Sequence, residues 1–580
     1  MINAARWGSD VIVDLLQRYQ LPYAALNPGS SYRGLHDSIV NYGGNSPALL
    51  VCQHEETAVQ VAHGFAKASG SPMAVILHDL VGLLHAPMSI YYASLDRVPV
   101  FVLGATGPLD ETRRRPRIDW IHTAQDQGEA VRAYTKWDYQ PRTIDGVPEA
   151  FARGYSVMMT EPRGPIYLCF DAWLQEQRLE HAVEMSPPGA ALVPTRLSPD
   201  PEALAEAADR IVRAKRPVII AECVGRDPEG FHALVALAET GGIPVYDVGS
   251  RLNFPSRHPL NVSHAKEVFR DADLVVCLDT RDWERPTTEL DSVTRQVRSI
   301  VPDTATWVDI GFGDLELSSW ALDYQRWRPA ALRILADTTL AIPMLTRLLD
   351  ARVAADTRLR ARVTTRAAGT ARKSRALRAR WAREAKLDWD ASPITPPRLA
   401  SEVWTAIETE DWVLTAGTLE SWARKLWNFD RPHRHPGESL GTATQFGISL
   451  GVALAHRGTG RIVVDLQPDG DLMFDAGALW VATKHRIPIL VVMHNNRAYY
   501  NDWEHQERMA RLRGRPVGRA HIGTDLDDPP PDFAAMARSM GWHGEGPIES
   551  PRDVGAALKR AIARVKAGQP ALVDTITRKR

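Results

Sequence analysis

The chain has 580 residues, a formal net charge of −1, 44% hydrophobic residues and 24% charged residues. That balance gives no electrostatic reason to expect nucleic acid or an anionic membrane as partner, and the length suits about three to four domains. Four cysteines, Cys52, Cys169, Cys223 and Cys277, lie far apart and mostly inside apolar runs, which reads as buried thiols in a reducing compartment rather than a disulfide frame or a zinc site.

The N-terminal stretch MINAARWGSDVIVDLLQRYQ has an amphipathic helical pattern with charges inside it. It reads as neither a signal peptide nor a membrane span, no later apolar run reaches spanning length, and a cytoplasmic location is expected. Residues 1–183 then alternate apolar runs with helical segments, the pattern of a doubly wound parallel α/β domain. Its strands are Tyr23-Leu26, Ala48-Cys52, Met73-Leu77, Val98-Leu103 and Pro165-Phe170. Three successive strand ends carry Ser30, Glu55 and His78, and strand C-termini in this topology face one crevice. Glu55 also opens a helix, where the dipole alone favours an acid. His85 and His122 lie in the same domain and could join the site, although each reads first as a loop or helix histidine satisfied by its surroundings.

A Pro-rich linker (SPPGAALVPTRLSPDP) leads into a second α/β block, residues 198–346, with strands Pro217-Ala221, Pro244-Val248, Leu274-Leu278 and Thr306-Asp309. It has no Gly-x-Gly-x-x-Gly fingerprint, so a nicotinamide site is not supported. Residues 347–394 are dense in Arg and Ala. With balanced overall charge and no aromatic platform, they read as a solvated helical linker rather than a nucleic-acid patch.

The last block, residues 395–580, is α/β again. Trp412-Thr415 is a strand leading to Gly417, Thr418 and Leu419, and a small-residue-rich helix start spans Gly437 to Gly451. The run Val463 to Tyr500 is the most informative. One strand ends in Gln467-Pro468-Asp469-Gly470-Asp471, a helix follows, and a second strand, Ile487 to His494, ends in Asn495-Asn496. An Asp and an Asn thus sit at neighbouring strand C-termini, and a carboxylate with an amide oxygen suits a hard divalent cation such as Mg²⁺. A charged, Pro-containing loop from Tyr499 to Pro530 and the strand Ala571-Thr575 close the chain.

Together these features resemble the thiamine-diphosphate-dependent superfamily that includes acetolactate synthases and benzoylformate decarboxylases. Its metal motif is Gly-Asp-Gly followed, after a helix and a strand, by Asn-Asn. Asp469 and Asn496 match the side-chain ligands, and Ala498 matches the position that ligates through its carbonyl. Glu55 of His54-Glu55 matches the family's catalytic glutamate. Gly417, Thr418 and Leu419 match the loop that packs on the diphosphate, and Gly470, Asp471 and Asn496 complete the matched cofactor-binding set. One departure is Pro468 in place of the first motif glycine; its fixed φ is tolerable if no N–H is needed there.

The resemblance implies three doubly wound parallel-sheet domains that bind the pyrimidine, form the centre and bind the diphosphate. It also implies thiamine diphosphate and Mg²⁺ as cofactors, and a homodimer or homotetramer with each cofactor between subunits. Glu55 would drive formation of the imino tautomer of the aminopyrimidine. Asn27-Pro28-Gly29-Ser30 and Leu77-His78 resemble benzoylformate decarboxylase, implying Ser30 at the substrate carboxylate and His78 as acid/base. The leading reading is therefore a 2-oxo acid decarboxylase. Against an aryl substrate stand the polar segment with Asp502 and His505, and the lack of a histidine near Arg281-Asp282-Trp283-Glu284-Arg285 to match that enzyme's second one. Alternatives are an acetolactate-synthase-like carboligase acting on a 2-oxo acid or aldehyde, a 2-hydroxyacyl-CoA or oxalyl-CoA lyase (with Arg251, Arg257 and Arg285 as loose nucleotide contacts), and a non-enzymatic subunit. FAD in the central domain occurs in the synthase branch, but nothing in residues 198–346 supports it.

Overall fold

A computed structural model describes residues 5–185, 193–315, 320, 327, 330–437, 441 and 443–579. Three parallel sheets, each with helices on both faces, organise the chain. The first holds β1 (Tyr23–Leu26), β2 (Ala48–Val51), β3 (Met73–Leu77), β4 (Val100–Thr106), β5 (Trp137–Tyr139) and β6 (Ile166–Asp171) in the order β2-β1-β3-β4-β6-β5. The second holds β7 (Pro217–Ala221), β8 (Val245–Asp247) and β9 (Leu274–Leu278). A separate antiparallel hairpin, β10 (Thr288–Leu290) with β11 (Val297–Ser299), precedes β12 (Thr306–Gly311) and β13 (Leu332–Leu335), and the sheet order is β13-β12-β9-β7-β8. The third holds β14 (Trp412–Ala416), β15 (Ile462–Pro468), β16 (Leu490–Asn495), β17 (His543–Ile548) and β18 (Ala571–Ile576), ordered β14-β15-β16-β18-β17.

Within the three parallel sheets, the strands that the apolar pattern does not reveal, β5, β13 and β17, are all sheet edges. An edge strand is half exposed and needs fewer apolar residues; β17 is HGEGPI, a loop composition that pairing with β18 turns into a strand. The small-residue stretch also differs from expectation: its helix is Gln445–Ala455 and begins after Gly437 and Gly441. The Arg-rich stretch forms a helix, Thr357–Glu384, whose few buried residues include Leu359, Val363 and Trp381. No described helix is long and apolar enough to cross a membrane.

Alternation along each strand splits the core in two. Met73, Val75 and Leu77 face a core that continues without a break into Phe446 and Ile448 of the helix Gln445–Ala455 and Val463 and Val491 of the third sheet, while Ala74 and Ile76 face a separate N-terminal core. The first and third blocks are therefore packed as one body within the chain. Helix Glu55–Ser69 lies against helix Gln445–Ala455 so closely that a Cβ on Gly64 would come within 1.9 Å of the Ile448 carbonyl oxygen, and one on Gly451 within 2.1 Å of that of Val61. This explains the small residues of the second helix. Gln53 Nε2 donates to Asp475 Oδ1 (2.6 Å), Thr57 donates to Asp475 and Gln60 Nε2 donates to the Ala443 carbonyl (3.0 Å) across the same interface.

The central block is joined to the first by buried ion pairs. Asp96 takes Lys67 Nζ (2.5 Å), Arg251 Nη1 (2.5 Å) and His63 Nε2 (2.7 Å), and these partners hold its carboxyl well below the usual range despite burial. Arg97 pairs with Asp279 (2.6 Å).

Candidate active site

The crevice over the first sheet is made by the ends of β2, β1 and β3, which are neighbours in register (Leu26 pairs with both Val51 and Ile76). Three polar strand ends therefore meet. Glu55, 4% exposed, starts its helix behind the N-cap His54, whose Nδ1 accepts from the Glu56 N–H (3.2 Å). Its carboxylate accepts from Asn27 Nδ2 (3.2 Å) and lies 3.4 Å from His85 Nδ1. His85 in turn stacks on His54, with centroids 5.0 Å apart. A Cβ on Gly82 would sit 3.0 Å from Glu55 Oε1, so glycine leaves the carboxylate room.

His78 caps the helix Asp79–His85. Its Nδ1 is 2.8 Å from Ser31 Oγ, its ring meets His122 edge-on (centroids 5.5 Å), and Gly29 lies against its other side. Burial first, then the positive potential of His122 and Arg115, lower its pKa, while Glu55 acts the other way. Ser30 is exposed at the start of the turn Ser30–Tyr32, and the hydroxyl that contacts His78 belongs to Ser31. Asp79 is fully buried with φ +37°; burial pushes its carboxyl up to about 7, and neither oxygen has a hydrogen-bond partner meeting ordinary geometry. His85 and His122 are thus brought to the crevice, the less favoured of the two readings that the sequence left open. His122 sits 44 residues beyond His78 in a stretch without periodicity, so no local pattern announces it.

The third sheet builds the other half at adjacent strand ends β14, β15 and β16. Asp469 Oδ1 accepts from Gly470 N (2.9 Å) and Oδ2 from Ala498 N (3.2 Å), and Asn496 Oδ1 accepts from the same Ala498 N–H (3.0 Å). Asp469, Asn496 and Ala498 are therefore one cluster. Burial pushes the Asp469 carboxyl up to about 6. This all-oxygen donor set fits a hard divalent cation, which would offset the cost of a buried carboxylate. Asp471 turns away, accepting from Ala443 N and from Gln467 Nε2 (3.2 Å). Pro468 has φ −76°, the value its ring imposes, so the loop accommodates it without distortion. At Gly470 a Cβ would fall 2.5 Å from the Tyr499 ring.

A cavity of about 360 Å³ opens here, lined by Gly417, Thr418, Asp469, Gly470, Asp471, Asn496 and Ala498 together with Tyr499, Tyr500, Asn501 and Asp502. Leu419 is not among its lining residues; with φ +57° it caps the helix Glu420–Leu426 and packs on the apolar core. Arg251, Arg257 and Arg285, the loose nucleotide contacts, are engaged internally: Arg251 on Asp96, Arg257 on the Leu426 carbonyl (3.2 Å) and Arg285 on the Val248 carbonyl (2.7 Å).

Three family models match in order: the N-terminal thiamine-pyrophosphate-binding domain (residues 6–130), the central domain (204–306) and the C-terminal thiamine-pyrophosphate-binding domain (415–575) of thiamine pyrophosphate enzymes. The chain is 24% identical to the benzoylformate decarboxylase of Pseudomonas aeruginosa, over 97% of each protein. It is 22% identical to the chloroplastic acetolactate synthase 2 of Zea mays, over 99% of this chain and 86% of that one. The crystal structure of benzoylformate decarboxylase from Polynucleobacter necessarius superposes with a TM-score of 0.76 at 19% identity, covering 99% of both chains. With all three domain models matched in order and the fold shared end to end, the chain belongs to the thiamine-pyrophosphate-dependent enzyme superfamily.

Proposed function

We propose that the protein is a thiamine-diphosphate- and Mg²⁺-dependent 2-oxo acid decarboxylase whose substrate carries a polar side chain. The observation that carries this reading is the meeting of Glu55 and the Ser31–His78 pair at one sheet edge, with a protonatable imidazole beside the glutamate. Asp469, Asn496 and the Ala498 carbonyl would hold the cation, and Gly417, Thr418 and Gly470 would border the diphosphate. When bound, thiamine diphosphate supplies a carbon nucleophile and an electron sink. Glu55 would hydrogen-bond the pyrimidine ring, kept in place by Asn27 and kept dry by burial. His78, with its pKa lowered, is a base at neutral pH that can take and return a proton. Ser30, exposed in the same turn, is open to a substrate carboxylate.

The polar lining supports the substrate class: Tyr500, Asn501 and Asp502 border the cavity that holds Asp469, where an aryl pocket would present apolar side chains. The same lining favours a second reading, carboligation onto a polar aldehyde or 2-oxo acid acceptor. The test is CO₂ release and product analysis with a panel of aryl, aliphatic, carboxylated and guanidinium-bearing 2-oxo acids, with and without an aldehyde acceptor. Polar acids turned over well above benzoylformate support the proposal. Preference for benzoylformate refutes the substrate class, and products formed only with an acceptor favour the carboligase.

A further inference from the structure

The chain carries two kinds of metal donor in different places. The Asp469 loop offers oxygen alone, which suits Mg²⁺. The crevice over the first sheet offers nitrogen as well. One ring nitrogen of His78, one of His122 and one carboxylate oxygen of Asp79 lie within 4.8 Å of one another, and His78 Nδ1 is 3.8 Å from Asp79 Oδ2. Two imidazoles and a carboxylate are good donors for a borderline ion such as Zn²⁺ and poor ones for Mg²⁺.

The donors also lack other employment. Asp79 is fully buried and neither of its oxygens has a hydrogen-bond partner, and His122 Nδ1 is buried without one too. Buried polar atoms are normally satisfied, and buried carboxylates are normally paired or bound to a metal. The surroundings favour a dication: Glu55 and Asp119 place further carboxyl groups beside the three donors, and Arg115 is held by Asp119 (2.8 Å). The His78 side chain is 17% exposed, so the group is reached from the crevice, which leaves a fourth position for water. A tetrahedral zinc ion holds its donors about 3.3 Å apart, and side-chain rotation that contracts the set by at most about 1.5 Å closes it.

His54, Glu55 and His85 fall within the same spacing, but they are a poorer set. Glu55 is engaged by Asn27 Nδ2 (3.2 Å), the His85 side chain is 53% exposed, and none of the three carries a buried atom without a partner.

We propose that His78, Asp79 and His122 form a Zn²⁺ site, and that the bound ion takes the imidazole lone pair of His78 and halts turnover while leaving the Mg²⁺ loop untouched. The site follows from the donor geometry; the inhibition rests on the role given to His78 in the decarboxylase reading.

The test starts from cofactor-free protein carrying Asp469→Ala, which removes the competing carboxylate of the cation loop. Co²⁺ should bring up the strong visible absorption of a four-coordinate ion, and calorimetry should count one Zn²⁺ per chain with a dissociation constant below about 10 µM. In that background His122→Asn and Asp79→Asn each weaken Zn²⁺ binding by about 10²-fold or more, and His85→Asn leaves it unaltered. The site is overturned by the lack of such binding, by an affinity that both ligand variants keep within about threefold, or by a loss seen in His85→Asn alone. In wild type loaded with thiamine diphosphate and Mg²⁺, one equivalent of Zn²⁺ should abolish CO₂ release and a zinc-selective chelator restore it, with cofactor affinity unchanged. Undiminished release with the site filled overturns the inhibition. If wild type releases no CO₂ from any 2-oxo acid, the decarboxylase reading fails by itself, and the cofactor-free titrations still decide the site.

Discussion

Asp79→Asn is the sharpest perturbation of the crevice. The Asp79 carboxyl is fully buried, and burial, aided by Asp119 and opposed by Ser31 and Arg115, raises its pKa from 3.8 to about 7. A folded-state pKa above the unfolded one means that the folded protein holds the extra proton. The stability it contributes is present at low pH and is lost as pH rises from about 4 through about 7. Three pH units amount to about 4 kcal/mol, and about two of them, or about 3 kcal/mol, are lost between pH 5 and pH 8. Asparagine has the same shape, never ionises and tolerates the +37° φ at this position. Its amide adds a buried donor at about 1 kcal/mol, a cost independent of pH. Thermal unfolding of cofactor-free wild type and variant at pH 5 and pH 8 should therefore show the variant gaining about 3 kcal/mol on wild type across that interval. That is roughly 2–4 °C for a cooperative body of this size. Parallel pH profiles for the two proteins would refute the buried, protonated carboxyl, and so would a variant that loses ground towards pH 8.

Asp469→Ala removes the one carboxylate of the cation cluster, so Mg²⁺ should no longer raise thiamine diphosphate affinity in calorimetric titration; an unchanged Mg²⁺ effect overturns the assignment. Gly451→Ala drives a methyl to 2.1 Å from the Val61 carbonyl oxygen, and denaturant unfolding should show a loss of about 3 kcal/mol or more. Pro468→Gly restores the family glycine at a φ of −76°, where proline is unstrained, so it should leave Mg²⁺ affinity unaltered and cost about 0.4–1 kcal/mol of stability.

Period and punctuation reach as far as the strand cores and their polar ends. β1, β3, β7 and β9 fall where their apolar runs lie, because central strands are buried on both faces and leave an unbroken signal. Asp469 and Asn496 are legible because the chain places both at C-termini of adjacent strands in one short span. Ser31 and Asp79 are not, and His85 and His122 are legible only as an alternative, since their roles depend on which side of a turn each residue faces. Ser30 and Ser31 are equivalent in sequence, yet one is exposed while the other is buried against His78. The buried charges Asp96, Arg97 and Arg251 look like surface residues in any local window; only the docking of two domains pairs them.

The direction in which Glu55 points follows from helical geometry. Thr57, Gln60 and Gly64 share the helix face that touches the C-terminal block of the same chain. Glu55 precedes Thr57 by two residues, a turn of about 200°, and so faces away from that block. Its carboxylate accordingly meets Asn27 and His85, both within the N-terminal block. A complete site is then expected to draw the metal loop from a second copy. In that arrangement Glu55→Gln and Asp469→Ala, each inactive alone, complement one another: a mixed dimer has one site carrying both changes and one carrying neither. Random pairing of equal amounts makes about half the dimers mixed and restores about a quarter of wild-type activity. Co-expression followed by assay gives the answer. Activity no higher than that of the separate variants would place both halves of the site in one chain and overturn the argument from the helix face.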